Sequence, residues 1–225
     1  MATTIAAVRC RGTTFTRMSF DLGESYRDAR VRIGQLVDDD LATVAVPATP
    51  GWDVHDVVAH LSGIVEDALT GNMDGVTTDP WTAAQVERGR SKSVRDLLEQ
   101  WDAGAPLVEG FLSSPEGADS FRAVLDVHCH EADLRHALGL PGELPDPFLA
   151  WAHTVLIEGF DEAVADAGLP SVTVDASPFE VFRGRLGRRT PAEVEAYRWS
   201  ADPAPYLDTW FVFGSATEPL GEHEG

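Results

Sequence analysis

Residues Asp126 to Gly139 read DVHCHEADLRHALG, and the spacing within this stretch decides how the chain is built. On an α-helix Asp126, His130, Asp133 and Ala137 fall at i, i+4, i+7 and i+11 and share one face. Val127, Leu134 and Leu138 form an apolar stripe beside it. Glu131 and Arg135, spaced i,i+4, read as an ordinary exposed ion pair on the far side. Such a helix runs from Asp119 to Leu138 and stops at Gly139, with Pro141 just beyond. Turning the stripe to a core also turns Asp126 and His130 inward. A buried carboxylate is costly unless it is paired or coordinates a cation.

The same helical period covers most of the chain. Ser19 to Asp38 carries Leu22, Tyr26, Ala29, Ile33 and Leu36 near helical spacing. A connector from Leu41 to Trp52 follows, broken by Pro47 and Pro50. Asp53 caps the next helix, with Asp56 at its third position and Trp52 placed to staple on Val57; it ends near Thr70, before Gly71-Asn72. Asp79-Pro80 opens a short helix, Trp81 to Arg88. Ser93 to Leu112 is a long one, with Val94, Leu97, Leu98, Trp101, Ala105 and Val108 on one side. Asp146-Pro147 starts another, striped by Phe148, Ala152, Leu156 and Phe160. Trp81, Trp101 and Trp151 read as core or pocket wall.

Four long helices with short to moderate connections describe a mainly α protein, a helix bundle over residues 18–170, and bundles build sites from side chains on facing helices. Ser171 to Val174 reads as a short strand. Ser177-Pro178 with Glu180, and Thr190-Pro191 with Glu193, read as capping-box helix starts. Residues 171–225 therefore form a small, mainly helical C-terminal lobe. Residues 1–17 read as a disordered N-terminal extension, with either Met1 or Met18 as the start.

Composition excludes several classes of function. The 225 residues include 17 basic and 37 acidic side chains, a formal charge of -20. That balance argues against sequence-independent nucleic-acid binding and against docking on anionic membranes. No apolar run approaches the length of a bilayer span. Cys10 and Cys129 do not make a disulfide framework, which points to a reducing, cytoplasmic setting. Lys92 is the sole lysine beside many arginines, a codon-driven skew that suggests a GC-rich genome. Phosphate loops, Gly-x-Ser-x-Gly elbows and Cys-x-x-Cys knuckles are absent from the sequence.

The histidines carry more information. His60 lies among Val57, Leu61, Ile64 and Ala68, at the inward edge of its stripe, whereas His55 points to roughly the opposite side and reads as solvated. An Asp and a His one turn apart share a metal for the same geometric reason as the two histidines of His-Glu-x-x-His. Adding His60 to Asp126 and His130 gives two imidazoles and one carboxylate, a ligand set that leaves positions open for substrate. Spacing alone leaves a metal-free Asp–His hydrogen bond equally open. Asp133, on the same face, is either a partner that orients an imidazole or a solvated carboxylate near the helix end. Cys129 projects away from that face. The cluster Arg183, Arg185, Arg188 and Arg189 reads as pairing with acidic residues of the bundle and docking the lobe; the other reading is an anion site.

WDVHDVVAHL, residues Trp52 to Leu61, resembles the Trp-x-Val-x-Asp-x-x-x-His-Leu motif of the mycothiol-dependent maleylpyruvate isomerase family, within the DinB-like (YfiT-like) superfamily. Residues Asp126 to Gly139 resemble its second signature, Asp-x-x-x-His-Glu-x-Asp-Leu/Ile-Arg-x-Ala-Leu-Gly. The tail from Ser177-Pro178-Phe179-Glu180 through Gly187-Arg188-Arg189-Thr190-Pro191 to Tyr197-Arg198-Trp199 is also similar. The resemblance spans about residues 18 to 213.

It implies a DinB-like up-down four-helix bundle that holds a divalent metal, usually taken as zinc, through His60, Asp126 and His130, the three residues helix geometry also brings together. The isomerase that names the family has a Glu where this chain has the shorter Asp126. It also has an important arginine after its first metal-binding helix, a region where Arg88 and Arg90 lie here; Arg90 is carried as the catalytic candidate and Asp133 as a cofactor-binding one. The implied function is that of a metal- and mycothiol-dependent actinobacterial enzyme of isomerase or thiol S-transferase type, in which a metal-bound cofactor thiolate attacks a small electrophilic substrate. The nucleophile would come from the cofactor. The implied partners are a small electrophile and a low-molecular-weight thiol, with the chain a monomer or homodimer. The alternative on the same bundle is a non-catalytic metal- or thiol-binding regulatory or sensor protein.

Overall fold

Side-chain caps set the starts of the first, second and fourth helices. The computed structural model describes residues 20–222, so the extension expected over residues 1–17, with Cys10 and Met18, lies outside the described residues. Helix α1 (Leu22–Leu36) opens where the Asp21 carboxylate accepts from Glu24 N. Helix α2 (Val54–Thr70) begins in a reciprocal capping box between Asp53 and Asp56, which satisfies backbone N–H groups that no earlier turn can reach. Helix α3 (Asp79–Gly89) has Pro80 in its first turn. Helix α4 (Val94–Leu112) starts from a second box, Ser93 with Asp96.

Helix α5 (Arg122–Ala137) begins later than the sequence suggests, because a 3₁₀ turn over Pro115–Ser120 precedes it. It ends before Gly139, whose φ of 68° is the left-handed conformation that glycine adopts without a Cβ clash. Helix α6 (Asp146–Asp166) follows, then β1 (Val174–Asp175), α7 (Pro178–Arg185), α8 (Pro191–Glu195), β2 (Arg198–Trp199) and α9 (Leu207–Trp210). The strand expected over Ser171–Val174 is displaced to Val174–Asp175, where it pairs antiparallel with β2.

The protein is a mainly helical, DinB-like bundle. Helices α1, α2, α4 and α5 form it: α1 packs on α4 and α5, and α2 packs on α4 and, more loosely, on α5. Tyr26, Ile33, Val57, Leu61, Leu97, Trp101, Val127 and Leu134 are buried at its centre. Each such aliphatic side chain contributes about 1.5–3 kcal/mol by leaving water. Trp101 Nε1 donates to the Tyr26 hydroxyl at 3.1 Å, so two large rings enter the core without an unsatisfied polar atom. Helix α6 packs chiefly on α7 and α9, with Phe160 edge-on to Trp210 at 5.0 Å. Among the described residues, no helix is long and apolar enough to cross a membrane.

Two surface assignments from the sequence are corrected. Glu131 is fully buried, not exposed: Arg32 of α1 grips its two oxygens at 2.7 and 2.8 Å, and Arg135 lies 3.3 Å away. The face opposite the triad is covered by α1, which a single helix cannot reveal. His55 is half-buried, with Nε2 2.9 Å from the Lys92 carbonyl, because the segment between α3 and α4 folds back over the start of α2.

Candidate metal centre

His60 arrives on α2, and Asp126 and His130 on α5, in the gap where these two helices pack loosely. One ligand atom from each lies within 4.8 Å of the others. His60 Nε2 is 3.6 Å from Asp126 Oδ2, and His130 Nε2 is 3.7 Å from Asp126 Oδ1. Both separations are too long for a hydrogen bond. Ligands bound at about 2.0–2.1 Å around one tetrahedral ion lie about 3.4 Å apart, close to what the side chains adopt.

The donor set also fits a cation on electrostatic grounds. Asp126 Oδ2 is buried and has no hydrogen-bond partner among the described residues. His60 Nδ1 lies 2.7 Å from Gln85 Oε1, and Gln85 Nε2 donates to Asp67 Oδ2 at 2.8 Å. An ionised carboxylate only accepts, so the Gln85 amide must present its oxygen to His60. The proton of a neutral His60 then sits on Nδ1, and the Nε2 lone pair faces Asp126. His130 Nδ1 lies 3.0 Å from Asp133 Oδ2, an electrostatic contact outside hydrogen-bond geometry. With both rings neutral and protonated on Nδ1, two lone pairs and a carboxylate would converge, and a divalent cation would resolve that repulsion.

Asp67 and Asp133 are themselves anchored. Asp67 accepts from Arg88 at 2.6 Å and from Asn72 at 2.8 Å. Burial raises its carboxyl, but these donors and Gln85 hold it below the usual value. Asp133 is fully buried and takes two bonds from Arg188, at 3.2 and 2.7 Å, and one from Arg183, at 2.7 Å. Burial pushes its carboxyl up, yet the Arg188 and Arg183 charges hold it well below the carboxylate range. At Asp126 burial raises the carboxyl while the two imidazoles lower it, with a net downward shift.

Trp52 walls the centre, its ring 5.4 Å from that of His60 and stacked at 6.1 Å on that of His130. The side chain of Asp126 keeps 37% of its surface exposed, against 7% for each histidine, so the carboxylate marks the open side. Cys129 is not a nucleophile here: burial pushes its thiol up to about 12. His128, stacked on Phe148, is held neutral, burial lowering its pKa to about 3.

The structure thus gathers His60, Asp126, His130 and Asp133, and does not bring Arg90 to them. Arg90 is exposed and pairs with Glu87 at 2.7 Å, beside a surface depression lined by Asp53, His55, Asp56 and Lys92. The arginine cluster divides: Arg183 and Arg188 grip Asp133 of the bundle, Arg189 pairs with Glu180 and Glu222, and Arg185 donates to the Thr209 carbonyl. Sequence reasoning missed Gln85, which carries no motif, and saw Trp52 only as a helix staple. Gly63 is a trace of it in the sequence that the structure explains: a Cβ there would lie 2.7 Å from the Gln85 Cβ.

Helices α1, α2, α4 and α5, with paired imidazoles and a carboxylate between α2 and α5, place the protein in the DinB-like class of bundles. Residues 24–135, from α1 into the last turn of α5, match the family described as the mycothiol maleylpyruvate isomerase N-terminal domain. The chain belongs to that family. No curated protein and no solved structure matches it.

Proposed function

We propose that the protein is a metal-dependent enzyme that uses mycothiol as a thiol cofactor and acts on a small electrophile, as an isomerase or an S-transferase. The observation that carries this reading is the convergence of His60 Nε2, His130 Nε2 and the Asp126 carboxylate, whose Oδ2 has no hydrogen-bond partner among the described residues, within one ion's span. The family match to a mycothiol-linked isomerase domain supports the choice of thiol.

In this reading His60, Asp126 and His130 hold a divalent metal, with zinc the expected ion. The metal supplies positive charge that keeps a coordinated thiol ionised. Gln85 and Asp133, facing Nδ1 of His60 and His130, would favour ring protons there and leave both Nε2 atoms for the ion. The exposed edge of Asp126 faces the side from which thiol and electrophile enter. Trp52 packs its ring against both imidazoles. With the Cys129 thiol buried and protonated, the attacking sulfur belongs to the cofactor.

The test uses one purified, untagged sample: metal content by elemental analysis, then mycothiol binding by calorimetry, then turnover of chlorodinitrobenzene or a bimane with mycothiol and zinc. One metal per chain, thiol binding that depends on it, and turnover support the reading. Protein that takes up no metal, and whose thermal stability is unchanged by chelator, overturns it.

A further inference from the structure

We propose that Glu222, on the C-terminal tail, is a positioning residue for His130, acting through the buried guanidinium of Arg183 and the carboxylate of Asp133. The inference rests on the reading of His130 as a metal ligand.

The Arg183 side chain has no solvent exposure, and a guanidinium does not shed its charge, so it requires buried anions. Its Nη2 atom bridges two of them, 2.7 Å from Asp133 Oδ1 and 2.8 Å from Glu222 Oε1. Its Nε donates to Glu222 Oε2 at 3.0 Å, and Nη1 to the Cys129 carbonyl of α5 at 3.1 Å. Glu222 is itself 2% exposed and also accepts from Arg189 at 2.6 Å.

Charge balance makes this carboxylate matter. Arg183, Arg188 and Arg189 face Asp133, Glu180 and Glu222, three cations against three anions in a nearly dry cluster. Without Glu222 the cluster holds one uncompensated positive charge, and Arg183 and Arg188 compete for Asp133 alone. Asp133 Oδ2, shared between Arg188 Nη2 at 2.7 Å and His130 Nδ1 at 3.0 Å, is then drawn further toward guanidinium. With Glu222 in place, Arg183 divides its charge between two carboxylates, and Asp133 Oδ2 stays shared with the imidazole. The tail is laid down for this purpose: Val212 N donates to the Arg185 carbonyl and Ala216 N to the Arg189 carbonyl, along the residues that carry the arginines. Tail docking and the orientation of His130 are therefore one linked equilibrium.

The experiment measures Zn²⁺ affinity by competition with a chromogenic chelator, with folding checked by circular dichroism. It compares the full chain, Glu222→Gln, a chain ending at Leu220, and Asp175→Asn, which breaks the exposed Asp175–Arg198 pair elsewhere in the tail region. Glu222→Gln and the shortened chain should bind zinc about tenfold more weakly, as when a partner behind a ligand is lost. Acetate should restore part of the loss in the shortened chain, and Asp175→Asn should match wild type. A folded Glu222→Gln protein with wild-type affinity overturns the proposal. Linkage supplies a second measurement that needs no variant: zinc must slow amide deuterium exchange in residues 212–222 of the wild type, since coupling is reciprocal. Unchanged exchange in zinc-loaded protein also overturns the proposal. A wild type that binds no zinc overturns instead the metal reading beneath it.

Discussion

Gln85 donates to Asp67 Oδ2 at 2.8 Å inside the bundle, and that single bond decides which ring nitrogen of His60 faces Asp126. Replacing Gln85 with Leu removes the acceptor behind His60 while keeping an apolar side chain of similar bulk. Zinc affinity should fall about 10–100-fold. Chelator competition on the folded variant checks this, and affinity equal to wild type would remove Gln85 from the centre.

The three ligands should behave differently from the other histidine near the start of α2. His60→Ala, Asp126→Ala and His130→Ala should each abolish stoichiometric zinc in elemental analysis, whereas His55→Ala should keep it, because His55 is bound to the Lys92 carbonyl. Zinc at a hundredfold excess over its Kd should stabilise the wild type by about 2.7 kcal/mol. Differential scanning of the Asp126→Ala protein should show no such gain.

Gly63 lets α3 approach α2 closely enough for Gln85 to reach His60. A Cβ at this position would meet the Gln85 Cβ at 2.7 Å and the Gln85 Cα at 3.3 Å. Gly63→Ala should cost about 1–3 kcal/mol through overpacking, read as a lowered urea midpoint. Combining it with Gln85→Ala should relieve part of that cost, so the two changes will not add.

Glu180 should govern part of the acid response of the lobe. Burial pushes its carboxyl up, but Arg189 and the Tyr197 hydroxyl hold it below its ordinary 4.5. The folded chain thus favours the ionised form. Its contribution is complete above the unfolded value and is lost as pH falls through the lower folded one. Between about pH 6 and about pH 3 the wild type should lose more stability than Glu180→Gln in urea melts. Parallel pH curves for the two proteins would contradict this.

The fold was legible because caps and periodicity agree. Asp53 with Asp56, Ser93, and Gly139 mark helix ends in the sequence and in the structure. The convergence of His60, Asp126 and His130 is legible because each sits at the inward edge of an apolar stripe, so orienting the helices also brings these side chains together. What lies behind them is less so. Gln85 and Asp67 meet only when α3 folds back on α2, and Glu131 is buried by a guanidinium that α1 brings from far away in the chain. Contacts of this kind are set by tertiary packing, and no periodicity within one helix encodes them. Arg90 was placed by analogy of region, and a side chain at a helix end has rotational freedom that chain position does not constrain.

The anchoring of both imidazoles from behind, by Gln85 on one side and Asp133 on the other, has a consequence for the life of the protein in a cell. In the proposed reading, a scaffold held by its own apolar interior and buried charge clusters would keep its shape without the ion. Loading would then be a reversible occupancy event. A molecule stripped by a competing chelator would stay whole and dormant, ready to be recharged, where a zinc finger in the same situation would unravel.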